Sequence, residues 1–169
     1  MMLRVLLTLA FVGFASAQCS FSGNGIMANW TASNGQVNIN FQNSKIANNQ
    51  WTAMAFGTTM VRQPGDHHLK VQNGKPSVVT GHTSQFGPPT TIDKSANVGM
   101  SNLSYRNGML SGSVTRPVTL NSPRSSNLNG CTQWNFVGSS GMNPDGSVQK
   151  HQTMPSPMNV CTNQCQRQG

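Results

Sequence analysis

The chain has 169 residues and a formal net charge of +8, with only three acidic residues and no glutamate. Its length suits one domain with a hydrophobic core. The shortage of carboxylates argues against the paired-carboxylate chemistry of glycoside hydrolases, and against catalysis in general. The basic residues are scattered and not interleaved with aromatic residues, so nucleic-acid binding is not indicated. Weak attraction to anionic glycans or to an acidic partner fits the charge better.

The first seventeen residues are typical of a secretory signal peptide. Arg4 supplies the positive end, residues 5–14 form an apolar run, and residues 15–17 are small. The run is too short to span a bilayer and no later segment replaces it, so we expect no transmembrane segment. We therefore predict a secreted, extracellular protein that begins at Gln18 and carries ten Lys and Arg against three Asp.

Short alternating segments between turn residues predict an all-β domain. Segments 27–32 and 37–41 flank Asn34-Gly35, which predicts a hairpin. Segment 51–57 follows, with Trp51, Ala53 and Ala55 on one face and the alternate residues on the other. Further strands are expected at 68–72, 77–82, 102–106, 109–115 and 131–138, with a second hairpin turn at Asn107-Gly108. This spacing is typical of an antiparallel sandwich or barrel.

The pattern fades after Met142, where prolines and polar residues indicate a loop and a tail. We therefore divide the chain into a signal peptide at 1–17, a β-sandwich domain at 18–155 and a Cys-containing C-terminal tail at 156–169. Asn29 and Asn102 lie in N-glycosylation acceptor patterns, which predicts a glycoprotein if these side chains face outward.

Four cysteines, an even number, predict two disulfides in an oxidising compartment. They are Cys19, Cys131, Cys161 and Cys165. A zinc site is less favoured, because the cysteines lie at opposite ends of the chain without paired CxxC spacing. We expect the tail to be tied back to Cys19 and Cys131, and the three possible connectivities stay open.

Several short motifs follow one another along the chain. In order they are WTAMAFGTTM at 51–60, Asp66, Gly81, Pro88-Pro89, Asp93, Tyr105-Arg106, Gly-Met-Leu at 108–110, Thr-Arg-Pro at 115–117, Trp134 and His151. This order resembles a DOMON domain, the extracellular β-sandwich family of haem- and sugar-binding domains that includes the cytochrome domain of cellobiose dehydrogenase. The resemblance covers nearly all of the chain after the signal peptide. It implies an antiparallel β-sandwich of DOMON type, which the disulfides would staple.

The resemblance also implies a cofactor, haem b, with Met60 and His151 as the axial ligands of the iron. His82, and one of the adjacent pair His67 and His68, are the competing histidines, since neighbours on a strand face opposite sides. Outer-sphere electron transfer would be the expected activity. The protein would then be a redox carrier or binding module rather than a catalyst.

The surroundings of the haem follow from the same resemblance. We expect the pocket walls to be formed by Met54, Trp51, Phe56 and Trp134. We expect the haem propionates to lie near Arg62, Arg116 and Lys150. The partner would be a soluble or cell-surface redox protein.

Two alternatives remain. One is a haem-free module that binds a carbohydrate or another ligand, with Trp30 or Trp134 stacking on a sugar. The other is a structural extracellular protein in which every residue named above only packs.

Overall fold

A computed structural model describes residues 19–58, 66–82, 91–92, 98–119 and 126–166. Within these ranges the chain forms eleven β-strands and one 3-10 turn at Thr162–Gln164, and no α-helix. The strands are β1 (Ser20–Gly23), β2 (Ile26–Ser33), β3 (Gln36–Asn43), β4 (Gln50–Phe56), β5 (Asp66–Gln72), β6 (Lys75–His82), β7 (Thr91–Ile92), β8 (Gly99–Arg106), β9 (Met109–Pro117), β10 (Cys131–Gly141) and β11 (Ser156–Cys161).

The strands form two antiparallel sheets packed face to face, which confirms the predicted sandwich. The five-stranded sheet has the order β1-β2-β3-β9-β8, and the six-stranded sheet has the order β11-β10-β4-β5-β6-β7. The predicted signal peptide lies outside the described residues. The predicted division at residue 155 stays a prediction, and the structure adds that residues 156–161 form β11 at the edge of the six-stranded sheet.

Both predicted hairpin turns are present. Asn34 and Gly35 join β2 to β3 with φ of 51° and 71°, the left-handed conformation that a two-residue type I′ turn needs at both positions. Asn107 and Gly108 join β8 to β9 in the same way. Two more Asn-Gly pairs, at 24–25 and 73–74, close the β1–β2 and β5–β6 hairpins.

The main core lies between the sheets and is rich in aromatic side chains. Trp30 of β2 packs on Trp134 of β10 with ring centroids 4.7 Å apart. Phe56 meets Trp134 edge to face at 4.9 Å. Aliphatic residues from both sheets, such as Ile39 and Leu69, fill the remaining space and are fully buried.

A second apolar cluster covers the outer face of the six-stranded sheet. It contains Trp51, Ala53, Val137 and Val148, with Met142 packed against them. Met142 and Val148 pair with each other, so the segment between them forms a small hairpin against this face. The pattern of β4 is therefore as predicted, with Trp51 and Ala53 on one face and Met54 and Phe56 on the other.

A buried polar network links the two sheets. Asn43, at the end of β3, donates through Nδ2 to Thr52 Oγ1 of β4 at 3.0 Å and to Ser139 Oγ of β10 at 3.2 Å. Thr52 donates in turn to the carbonyl of Val137 at 2.7 Å. Because each polar group is paired, burial of the network is tolerated, and the bonds fix how one sheet sits on the other.

Two disulfides staple the sandwich, as expected from the four cysteines. Cys19 pairs with Cys165, and Cys131 pairs with Cys161. The first joins the strand pair β1–β2 to the segment after β11, and the second joins two residues that are directly opposite on β10 and β11. No helix among the described residues has the length and apolar character needed to cross a membrane.

Candidate functional site

His151 lies in the connection between β10 and β11 and is half-buried. Its Nδ1 is 2.9 Å from the carbonyl oxygen of Thr153. A carbonyl oxygen can only accept, so Nδ1 must carry the proton and donate, which leaves Nε2 of the neutral ring with a lone pair. The neighbouring Gln152 donates its backbone N–H to Ser140 Oγ of β10. His151 is therefore held next to the end of β10.

Met60 lies outside the described residues, so its distance from His151 is not measured. The connection that contains it begins after Phe56, the last residue of β4. Ser140, beside the His151 segment, pairs with Trp51 near the start of β4. These two points on β4 are separated by roughly 17 Å of strand. The two predicted ligands thus belong to connections that join the six-stranded sheet at opposite ends of β4.

The three competing histidines lie on β5 and β6. His67 points into the core, where its ring meets Phe56 at 5.4 Å, and His68 points to the outer face, where its ring lies 5.3 Å from Trp51. The predicted opposite orientation of the pair is confirmed. His82 ends β6 and pairs with Thr91 of β7, and its side chain lies outside the described residues.

The predicted pocket walls do not line one pocket. Met54, Phe56 and Trp134 belong to the core between the sheets, whereas Trp51 belongs to the outer cluster. The prediction was wrong in combining them, because the two sets lie on opposite faces of the same sheet.

Arg116 was expected at a basic rim, and this prediction was also wrong. Arg116 is fully buried between the sheets. Its guanidinium donates to the carbonyl of Ser126 at 2.9 Å and lies 4.8 Å from the centroid of the Phe56 ring. The arginine therefore packs in the core and is hydrogen-bonded to the segment before β10.

The charge of Arg116 affects the buried histidine beside it. Burial, followed by the charges of Arg116 and His68, lowers the pKa of His67 from 6.5 to about 3. Burial and the charge of Lys70 lower the pKa of His68 to about 4. Both rings are therefore neutral at physiological pH. Among the described residues, neither ring has a hydrogen-bond partner.

All three tryptophans are buried, at 3% exposure or less. Trp30 and Trp134 lie inside the core, so neither can stack on a sugar in solution. The prediction that Trp30 or Trp134 stacks on a sugar is therefore wrong. Trp51 Nε1 and the indole nitrogens of the other two make no hydrogen bond within the described part of the chain.

A cleft with a mixed polar and apolar lining opens beside the second disulfide. Its volume is about 550 Å³, within the range of small-molecule sites. Its lining residues include Gly57, Asn127, Thr132, Gln133 and Met158. Sequence reasoning missed this cleft, because it forms only where β10, β11 and the segment before β10 meet.

The two glycosylation acceptors lie on the outer face and at the edge strand of the five-stranded sheet, and both are exposed. Asn29 accepts through Oδ1 a hydrogen bond from Asn40 of the neighbouring strand. Asn102 sits at an irregular step of β8 with φ of 55°. Both side chains meet the outward orientation that modification requires.

Comparison with known proteins identifies the family. The sequence model of the DOMON domain matches residues 22–141, which extend from β1 to the end of β10. The chain belongs to the DOMON domain family. His151, β11 and every cysteine except Cys131 lie outside the matched residues.

Two relatives of this DOMON protein match almost their whole length. A DOMON domain-containing protein of Caenorhabditis elegans is 31% identical over 96% of this chain and 97% of its own. Another, of Caenorhabditis briggsae, is 28% identical over 98% of this chain and 99% of its own.

Two solved structures are similar to the DOMON sandwich in fold. The cytochrome b domain of pyranose dehydrogenase from Coprinopsis cinerea has a TM-score of 0.64 at 12% identity, over 88% of this chain and 83% of that domain. The cytochrome domain of Myriococcum thermophilum cellobiose dehydrogenase has a TM-score of 0.61 at 11% identity, over 84% and 77%. At these identities the likeness establishes the fold.

Proposed function

We propose that this DOMON protein is secreted, binds haem b through Met60 and His151, and transfers electrons outside the cell. Family membership and the fold shared with two cytochrome domains support the proposal. The two disulfides are those expected of a protein from an oxidising compartment. Its partner would be a soluble or cell-surface redox protein.

The observation that carries the proposal is the hydrogen bond of His151. Histidines that ligate metals usually donate their other ring N–H to a carbonyl or carboxylate, which fixes the tautomer and the ring orientation. The Nδ1 group of His151 makes this bond to Thr153, so Nε2 is available as a ligand. The residue present therefore fits an axial ligand of iron. Among the described residues, no group of three His, Cys, Asp or Glu offers a different metal site.

Bound haem b would supply a one-electron redox centre, and with a methionine and a histidine on its iron it would leave no position open for dioxygen. The role of this chain is then to bring together two ligands that belong to connections at opposite ends of β4, and to bury the macrocycle. His67 is enclosed between the sheets and does not compete for the iron. His68 lies on the outer face and is considered below.

An absorption spectrum tests the ligand pair. Protein expressed with haem should show a sharp Soret band and, after reduction with dithionite, the split bands of low-spin iron. Met60→Ala and His151→Ala should each abolish the low-spin spectrum, because one axial bond is lost. Met154→Ala is the matched control, since Met154 is 84% exposed, and it should change nothing. Retention of the spectrum in both ligand variants would refute the assignment, and its loss in His82→Ala alone would transfer the histidine role to His82.

Secretion and glycosylation belong to the same proposal. Protein secreted by a eukaryotic host should begin at Gln18 and should lose mass at Asn29 and Asn102 on treatment with an N-glycosidase. Asn29→Gln and Asn102→Gln should each remove one glycan. A secreted protein without either glycan, measured by mass spectrometry, would contradict the prediction.

The mixed cleft beside Cys131 favours one other function, a haem-free module that binds a carbohydrate. Amide and hydroxyl side chains such as Gln133 and Thr132 match sugar hydroxyls in hydrogen bonding. Haem-free protein that binds on a glycan array, with loss of binding in Gln133→Ala, would support this second candidate. Absence of any response on the array would count against it.

A further inference from the structure

The outer face of the six-stranded sheet carries three hydrogen-bond donors side by side. Trp51 of β4 stands opposite Lys70 of β5, and His68 lies two residues before Lys70 on the same face. The rings of Trp51 and His68 are 5.3 Å apart, and both residues are only 3% exposed. Lys70 is half-buried beside them.

The two aromatic donors have no acceptor of their own. Within the described residues, neither Trp51 Nε1 nor either ring nitrogen of His68 makes a hydrogen bond. Buried polar groups are rarely left unsatisfied in folded proteins, and such groups usually meet a water, an ion or a ligand. Two unsatisfied donors on neighbouring rings of one face therefore indicate an acceptor that the described residues do not supply.

The charge around these donors indicates an anion. The pKa of His68 is lowered to about 4 by burial and by Lys70, so its ring is neutral and offers one N–H. Lys70 donates to the carbonyl of Gly146 at 3.0 Å, which uses one of its three N–H groups. Asp145 is the one acid whose side chain lies within the described part of the chain; it is exposed, its Oδ1 accepts two hydrogen bonds from Ser147, and its charge acts on Lys70. The site thus combines two neutral donors with one positive charge.

We propose that Trp51, His68 and Lys70 form a binding site for a carboxylate on the outer face of the six-stranded sheet. One positive charge and two N–H donors match a singly charged, planar acceptor better than a phosphate. The carboxylate could belong to a haem propionate or to an acidic sugar. The first source rests on the haem binding proposed above, and the second does not.

The core contains unsatisfied donors as well, but they do not form a comparable site. Trp30, Trp134 and His67 are enclosed between the two sheets. The outer site differs because it is covered by the small hairpin of residues 142–148, to which Lys70 donates at Gly146, and not by the second sheet. A carboxylate would therefore reach Trp51 and His68 by displacing this hairpin, without separating the sheets.

The experiment compares two acids with their uncharged analogues on the full secreted chain. The probes are haem b against its dimethyl ester, and glucuronate against glucose. Binding is followed by ¹⁵N NMR of the Trp51 indole and the His68 ring, assigned with Trp51→Phe. The acid that binds should shift both resonances and should bind about tenfold tighter than its analogue, because hydrogen bonds to a charged group are strong.

Substitutions distinguish the contribution of His68 and Lys70 to acid binding from that of neighbouring residues. His68→Leu and Lys70→Gln should each raise the dissociation constant of the acid about tenfold, while His68→Gln, which keeps an N–H donor, should retain most of the binding. Lys75→Gln on the neighbouring strand is the matched control for lost charge, and His67→Leu is the control for a lost buried histidine. Far-UV circular dichroism checks that each variant is folded.

The outcomes distinguish this proposal from the proposed function. If haem b and its ester bind equally and glucuronate shifts neither resonance, the carboxylate site is refuted even where the low-spin spectrum is intact. If haem does not bind but glucuronate shifts both resonances, the site stands and the haem proposal falls. Unchanged acid binding in folded His68→Leu would also overturn the proposal.

Discussion

His67 and His68 are adjacent in the chain, yet they face different surroundings. The alternation of a strand predicted their opposite orientation, and the structure confirms it. Alternation alone could not tell which face of β4 and β5 meets the other sheet. For that reason Trp51 was grouped with Phe56 and Trp134, although only the last two lie in the core.

The stability of the protein should decrease at acidic pH because of His67. Its pKa is about 3 in the folded protein and near 6.5 in the unfolded chain, so protonation favours the unfolded chain. The contribution of His67 is complete above pH 6.5 and is lost as the pH falls toward 3. Between pH 7 and pH 4, this loss amounts to about 3 kcal/mol in the free energy of unfolding.

Urea unfolding at several pH values measures this effect. His67→Phe should flatten the pH dependence between 7 and 4, because the ring that would be protonated is gone. A smaller slope should remain, since His68 has a lowered pKa as well. An identical pH dependence in the wild type and the variant would show that His67 does not carry the effect.

At the scale of elements, turn chemistry made most of the fold predictable. Asn-Gly pairs and alternating segments located eight strands near their observed positions. Three strands were missed for physical reasons. β1 and β7 are too short to show alternation, and β11 contains Pro157. Proline argues against a central strand but is tolerated in β11, because β11 is an edge strand with one unpaired side.

The turn between β2 and β3 allows the cost of a left-handed backbone conformation to be measured without a steric clash. Gly35 has φ of 71°, and a Cβ added there would meet no atom within 4 Å. Gly35→Ala should therefore lower the free energy of unfolding by about 1 kcal/mol, through the left-handed conformation rather than through a clash. Asn34→Gly should be tolerated and serves as the control. Equal urea midpoints for Gly35→Ala and the wild type would contradict this account.

The candidate site was less predictable than the fold. The acceptor patterns could be found from residue types, and His151 was indicated by the family resemblance. The contact between Trp51 and His68 could not, because it depends on the register that sets Ala53 opposite His68. The network of Asn43 was missed for the same reason, since its partners lie in the other sheet.

For the whole molecule, the two disulfides should differ in their effect on stability. Cys19 and Cys165 are separated by 146 positions, and Cys131 and Cys161 by 30. In the chain-entropy account a longer closed segment restricts the unfolded chain more. Replacing both Cys19 and Cys165 by Ala should lower the free energy of unfolding by about 5 kcal/mol, and replacing the other pair by about 4 kcal/mol.

Urea unfolding of the two double variants tests this order. The variant without the Cys131–Cys161 bond is the control for the loss of a disulfide as such. A larger loss in that control would show that contacts between β10 and β11, rather than chain entropy, dominate.

The bond between Cys19 and Cys165 also changes what a protease can do to the molecule. It closes the chain from Cys19 to Cys165, which contains every strand of the sandwich, into a covalent ring. Both cysteines lie beside β2. A single nick between two strands would open the ring without releasing a fragment. The cleaved protein would keep its full mass on a gel until a reducing agent separates the pieces.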